Sequence, residues 1–415
     1  MLEKDAKSAD LRDAFDHRLK QETQGSKMTS GTNQLSFREP DPPKQSPPYD
    51  GSIFHAARSL AGEGKCAMKI SRIVAVLLAT MLIASPAAAH IKWFEPFNVA
   101  AQPKSIDAVL STTFVTFFLI SVALVFVFFM LDRIALRRGI LDAFHQRLEV
   151  FDGLSILIMR GAAGLFFAAA WAMAIFGDIH FYLAPELTAH EVWVPWFQLA
   201  LALFALSRWT TPVLGAGILV LYVLALHHYG VFHLIDYLIF PAIAYFFMAT
   251  ASPSYGWKKS GFITLYAVTG INFLWLAIEK FAFPEWTYPL LAKHPGILMG
   301  IDPEIYMVLA GFVEFVIIFT LLGAASVVTR LIAFAFQTLL VLGIFEFGLV
   351  DAIGHLMINA VLFVLIVRGP TDARYILVLS TKSPQMEAYF MTGLYYLAFV
   401  NAFVLYYGIH FLLYG

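Results

Sequence analysis

Residues 107–131 read DAVLSTTFVTFFLISVALVFVFFML. After Asp107 this run carries no charge as far as Leu131. A helix rises about 1.5 Å per residue, so the run is long enough to cross a hydrocarbon core of about 30 Å. It sets the fold class, and the rest of the chain repeats its pattern.

The 415 residues are 59% hydrophobic and 14% charged, with 15% aromatics and 39 phenylalanines. Soluble domains carry about 25% charge, so the composition indicates a polytopic helical membrane protein whose surroundings are a lipid bilayer. The net charge of -1 offers no basic face to nucleic acid. The single cysteine, Cys66, excludes a disulfide scaffold and a thiolate-ligated zinc or iron–sulfur site.

Residues 1–67 are polar and proline-bearing (Pro40, Pro42, Pro43, Pro47, Pro48) and read as a disordered extension. Residues 68–89 follow the plan of a secretory signal peptide. Met68-Lys69-Ile70-Ser71-Arg72 is basic, 73–83 is a short apolar run, and Ser85-Pro86-Ala87-Ala88-Ala89 is a small-residue cleavage site. A signal peptide works from an N-terminus, so Met68 is expected to be the true start. Cleavage after Ala89 would leave His90 as the first mature residue. A retained cytoplasmic tail with an uncleaved anchor is the alternative.

Apolar runs give about ten spans, near 107–131, 155–176, 192–207, 211–227, 231–250, 260–279, 304–323, 329–346, 352–368 and 388–412. With the N-terminus outside and the spans alternating, the inner loops hold Arg133, Arg137, Arg138, Arg147, Arg208, Lys258, Lys259, Arg330, Arg368, Arg374 and Lys382. The outer segments, beginning with 90–106, hold only Lys92, Lys104, Lys280 and Lys293. That asymmetry fits a bacterial-type inner membrane with a periplasmic mature N-terminus. Residues 132–154 mix basic and apolar side chains and read as an amphipathic segment on the inner surface, or as a solvated loop.

Residues 226–237 (LHHYGVFHLIDY) and 344–355 (IFEFGLVDAIGH) close one span, turn at a glycine and open the next. The register sets His228 against Glu346, and His233 against Asp351. Upstream, Gln198 parallels Glu314 and Trp171 parallels Trp275. The expected architecture is therefore all-α: two parallel four-helix units, 155–250 and 260–368, with one flanking helix at each end.

The second unit ends its first span in Trp275-Leu276-Ala277-Ile278-Glu279-Lys280-Phe281-Ala282-Phe283-Pro284-Glu285-Trp286 and continues through an outer loop and three more spans. In span count, spacing and the Glu279-Lys280 end it resembles the DoxX family of small four-span membrane proteins. The resemblance implies a four-helix fold over about 110 residues, or about 200 if the first unit is a diverged copy. It also implies a link to redox systems, since some relatives are subunits of a thiosulfate:quinone oxidoreductase. Many relatives have no assigned activity, so fold follows from it more firmly than function.

Ionisable residues concentrate on the outer side. Embedded charges cost roughly 2.5–3.5 kcal/mol each on insertion scales and normally face a partner, a cavity or a ligand. Glu279, Glu314, Glu346, His355 and Asn359 come from four neighbouring spans, as ligands in bundle cores do. Glu279, Glu314 and His355 are the candidates for proton-carrying catalysis. His228, His233, Glu346 and Asn359 are the candidates for cofactor binding. Metal-ligand candidates are His90, His180, His190, His227, His228, His233, Glu314, Glu346 and His355, a thiolate-free set suited to copper, iron, zinc or manganese. A histidine pair could instead hold haem. His227 and His228 cannot face one centre from a helix. The bland alternative is ordinary satisfaction: Glu314 bonded to Asn359 or Gln337, His355 capping the ninth span, and interfacial histidines at a wet turn.

Three functions fit. The first is a redox component, with a copper, iron, haem or quinone centre fed by a periplasmic electron donor. The second is a carrier for a metal ion or small solute. The third is a non-catalytic membrane partner or assembly factor. The long aromatic outer loops 177–195 and 279–304 could serve any of them as a lid or docking face.

Overall fold

The computed structural model describes residues 91–140, 151–326, 328–369 and 383–415, with single positions between 141 and 150. All lie within the unit Ala61–Gly415. The polar extension, the signal peptide and His90 lie outside the described residues.

The described chain is helical, with one isolated bridge between Phe181 and Thr188. Its main helices are α1 (Thr112–Arg137), α2 (Ser155–Gly177), α3 (Val194–Phe204), α4 (Thr211–Tyr229), α5 (Val231–Ile235), α6 (Ile239–Ala251), α7 (Tyr255–Ala282), α8 (Pro303–Gly323), α9 (Val328–Phe347), α10 (Leu349–Gly354), α11 (Leu356–Arg368) and α12 (Pro384–Tyr414). Among the described residues, six segments are long and apolar enough to cross a membrane: Thr112–Arg137, Asp152–Gly177, Thr211–Tyr229, Tyr255–Ala282, Pro303–Gly323 and Pro384–Tyr414. By contrast, α3, α6 and α11 have 11–13 residues. At about 1.5 Å per residue, none of these three reaches across a core of about 30 Å alone.

Helix ends follow local chemistry. The Ser111 hydroxyl accepts from Phe114 N at 3.3 Å, so α1 begins at Thr112 and not at 107. Pro303 opens α8 behind Asp302, whose carboxylate accepts from Glu304 N (2.9 Å) and Ile305 N (3.3 Å). Gly230 and Gly348 take positive φ (79° and 77°) where α4 passes into α5 and α9 into α10. A side chain there would be strained, so both turns need glycine.

The packing order recurs along the chain. α2 packs on α3 and α7 on α8; α4 packs on α6 and α9 on α11; α6 packs on α7 and α11 on α2. α1 lies against α8 and α12.

Long-range hydrogen bonds and ion pairs divide the bundle into two ends. The upper end gathers 91–104 with the α5–α6 break, the finish of α7 and the later part of α12. The lower end gathers the finish of α1 with the starts of α9 and α12 and the finish of α11.

The lower end corrects the expectation of a surface segment beginning at 132. Helix α1 runs on to Arg137, and Asp132 and Arg133 are buried within it. Asp132 accepts from Ala325 N (3.1 Å), Ser326 N (3.0 Å) and the Ser326 hydroxyl (2.6 Å), which caps the chain turning towards α9. Arg133 pairs with Asp132 and with Glu387 of α12 (3.3 Å), and Arg137 also reaches Glu387. Arg330 donates to the carbonyls of Ile366, Val367 and Arg368, satisfying the end of α11. Arg368 grips Asp152 at 2.7 and 2.8 Å and lies over the Phe262 ring at 3.9 Å. Most of 141–150 lies outside the described residues.

Candidate functional site

The upper end holds the densest buried chemistry, and its centre is a residue that the sequence offered only as an outer-loop charge. Lys92, in the one-turn helix Ile91–Trp93, places its ammonium between the carboxylates of Asp236 and Glu279. Asp236 lies in the break between α5 and α6, while Glu279 is near the end of α7. The lysine and aspartate are both buried.

Neighbours orient the aspartate. Trp275 Nε1 donates to Asp236 Oδ1 at 2.9 Å. Asn272 Nδ2 donates to the Asp236 carbonyl at 2.8 Å, and Asn272 Oδ1 accepts from Ile239 N at 2.9 Å. One asparagine thus ties both sides of the α5–α6 break to α7. Burial alone would lower the Lys92 pKa. The charges of Asp236, Glu279 and Glu186 outweigh it and hold the ammonium above the ordinary lysine range. Its contribution to stability is therefore fully present at neutral pH and is lost only as strongly alkaline pH is reached.

Trp93 extends the cluster. Its Nε1 donates to Tyr237 Oη at 3.0 Å, and its ring lies 4.7 Å from that of His355. A Cβ at Gly354 would collide with the Trp93 ring, so the missing side chain admits the indole. His233 meets Glu186 at 2.6 Å with both buried, and the Phe97 ring stands 5.3 Å from His233. A narrow cavity reaches inward, lined by Trp93, Asp236, Tyr237, Asn272, Phe273 and Leu276.

The expected residues are present but do not meet at one centre. Glu279 takes Lys92; Glu314 takes Lys280. Asn359 accepts from Gln337 Nε2 at 2.8 Å, so its partner is Gln337, and the anticipated Glu314 contact is replaced by lysine. His355 Nδ1 faces the Asp351 carboxylate at 3.0 Å, one turn back. The side chain of Glu346 lies outside the described residues. In the HHxxxxH stretch, His228 goes to Glu191 at 3.0 Å and His233 to Glu186, two separate acids on one loop. His227 and His190 are exposed, with rings 5.5 and 5.8 Å from that of His228. His180 stands 3.4 Å from Asp178. Among the described residues, no group of three or more His, Cys, Asp or Glu is arranged to hold a metal ion.

The loop between α2 and α3 is fastened by the same histidines. Gln198 Nε2 donates to the carbonyls of Phe181 (2.7 Å) and Tyr182 (3.1 Å). Tyr182 donates to Glu191 at 2.5 Å and stacks on His228. Hydrogen bonding by Tyr182, and then by His228, holds the Glu191 carboxyl below its ordinary range. A lowered carboxyl contributes stability above its unfolded value, about 4.3, and loses it as pH falls through the folded value. Hydrogen exchange in 178–193 is therefore expected to rise in acid, below about pH 4. Glu191→Gln should give faster exchange at neutral pH and a flatter acid limb. An unchanged profile in that variant would place the fastening elsewhere.

Comparison with known proteins found no matching family model, no matching curated protein and no matching solved structure. Among the described residues the chain is helical, with apolar helices suited to a multi-pass membrane setting.

Proposed function

We propose that this chain is a membrane carrier whose binding site lies at the upper end, between two like halves. The observation that carries the reading is the pair of interruptions. α5–α6 and α10–α11 are each a short helix of 5 or 6 residues followed by one of 13, each opened by a positive-φ glycine. Broken helices in corresponding places of two halves mark the substrate site in repeat-built carriers. Here the breaks carry Asp236 and Tyr237 on one side and Gly354 and His355 on the other, with Lys92 and Trp93 between them.

The recurring packing order supports two parallel four-helix repeats. In that reading each broken pair makes one pass, α3 completes another, and ten passes follow. The arginines collected at the lower end support a reading with that end in the cytoplasm and the Lys92 site at the periplasmic face of an inner membrane.

The redox reading with copper, iron, haem or quinone is weaker. Among the described residues, Glu279, Glu314, His228, His233 and His355 are taken up in separate pairs, and the cavity beside Asp236 is narrow. A scaffold role would leave the paired breaks without a purpose.

Proteoliposomes containing a lumenal pH dye test the carrier reading. Monovalent cations, divalent cations, small organic acids and small amines are offered one class at a time. One class is expected to drive lumenal pH change. Asp236→Asn or Glu279→Gln should slow it at least about tenfold, because each removes one of the two carboxylate charges from the site. Equal rates in protein-free and loaded vesicles for every class would overturn the reading.

A further inference from the structure

The surroundings of Lys92 are those of a receptor for an organic cation. Its Nζ meets two carboxylates, Asp236 and Glu279, and lies 4.9 Å from the Trp286 ring centroid and 5.1 Å from that of Phe97. Carboxylates supply charge-assisted hydrogen bonds to an ammonium, and aromatic faces attract its positive charge. Asp236, Glu279 and Trp286 belong to the bundle and its loop; Phe97 alone comes with the N-terminal segment. The aspartate is also held by Trp275, through a hydrogen bond that does not involve Lys92.

A hard metal ion is the poorer match. Calcium takes about six to eight oxygen ligands and magnesium about six with near-octahedral geometry. Two carboxylates backed by indole and phenyl rings do not provide that set. Beside Asp236 lies a narrow cavity with room for about one water, lined by Phe240, Phe273, Leu276 and Ile358.

We propose that Asp236, Glu279 and Trp286 form a binding site for a primary alkylammonium, and that Lys92 is its built-in occupant, seated by the segment 91–104. Ligand and lysine then compete for the same carboxylates. Release of the segment would open the site: Trp93 leaves Tyr237, Glu95 leaves Lys293, and the Lys104 carbonyl leaves the Tyr407 hydroxyl. The inference rests on the carrier reading for the purpose of the site, and on the side chains alone for its chemistry.

The test uses the purified full chain and propylammonium chloride, which replaces the atoms that Lys92→Ala removes. Thermal midpoints and calorimetric titrations are compared with potassium chloride at equal ionic strength. Lys92→Ala is expected to melt lower than the parent and to regain stability with propylammonium. Saturation at a Kd of about 0.1–10 mM would suit so small a ligand. The parent should not respond, because its own ammonium fills the site. Lys92→Met should melt low and stay low, since its stem occupies the space. Asp236→Asn in the Lys92→Ala background should weaken binding at least tenfold.

No propylammonium binding to Lys92→Ala, or equal stabilisation of the Ala and Met variants, would overturn the proposal. If Lys92→Ala yields no folded protein with the amine in the medium, Lys92→Ser takes its place. Failure of both to be rescued is the same negative result. Binding without flux in vesicles would keep the ammonium site and remove the carrier reading. Flux of a solute indifferent to propylammonium would do the reverse.

Discussion

Arg133→Ala is expected to cost about 3–5 kcal/mol, because it leaves the buried carboxylates of Asp132 and Glu387 without the cation between them. Asp132 keeps its bonds from Ala325 N, Ser326 N and the Ser326 hydroxyl, and Glu387 keeps Arg137. The loss therefore falls on the join between α1, the turn before α9, and α12. In detergent the midpoint should drop by roughly 5–15 °C at the stability-to-temperature scaling of a large domain. Arg133→Lys should recover only part of it, since one ammonium cannot reproduce the guanidinium's bonds to Asp132, Glu387 and the Gly323 carbonyl together. Asp132→Asn should be milder than Asp132→Ala, because the amide oxygen still accepts from the backbone. A midpoint within about 2 °C of the parent for Arg133→Ala would mean that water or Arg137 takes over the site.

The second large effect belongs to Asp236→Ala. It removes one of the two anions on Lys92 and leaves the Trp275 indole N–H without its acceptor. Breaking a buried pair costs about 3–5 kcal/mol. Here the cost falls on one segment, because Glu279, Lys293 and Tyr237 each hold 91–104 at another point. The expected result is local opening with the bundle intact. Proteolysis within 91–104 should quicken by at least about tenfold, and the emission of Trp93, Trp275 and Trp286 should move to longer wavelength. Asp236→Asn should fall between the parent and Asp236→Ala. Rapid proteolysis throughout the chain would show that the pair holds the whole bundle and not the segment alone.

The helices were legible where apolar runs met charge, glycine or proline. The turns at Gly230 and Gly348 and the helix near 304–323 followed from pattern. The true end of α1 was hidden because Asp132 and Arg133 look like the start of a solvated loop. Only their partners at 325, 326 and 387 make burial tolerable, and partners so distant leave no local trace. The site was half legible. Glu279 and His355 were singled out as embedded ionisable groups and His233 as a ligand candidate, and all three are at the upper end. Their partners were not foreseen: Lys92 counted as an outer charge, and Glu186 and Glu191 as loop acids. A single sequence gives no sign that a lysine 144 positions upstream neutralises Asp236. The signal was the aromatic company, since Lys92-Trp93-Phe94 is an unusual start for a free tail.

The attachment of 91–104 also sets an order of assembly. Lys92 must wait for Asp236, 144 residues later, and the Val99 carbonyl for His410, 311 residues later. At a synthesis rate of about 5–20 residues per second, the second interval lasts about 15–60 s. For the later part of that time, once Asp236, Glu279 and Trp286 have been made, the nascent bundle carries this anionic pocket before its last helix has joined 91–104. The join between 91–104 and the last helix is thus a closing latch on biogenesis, and any small amine present at the membrane surface would meet its best chance of entry before that latch shuts.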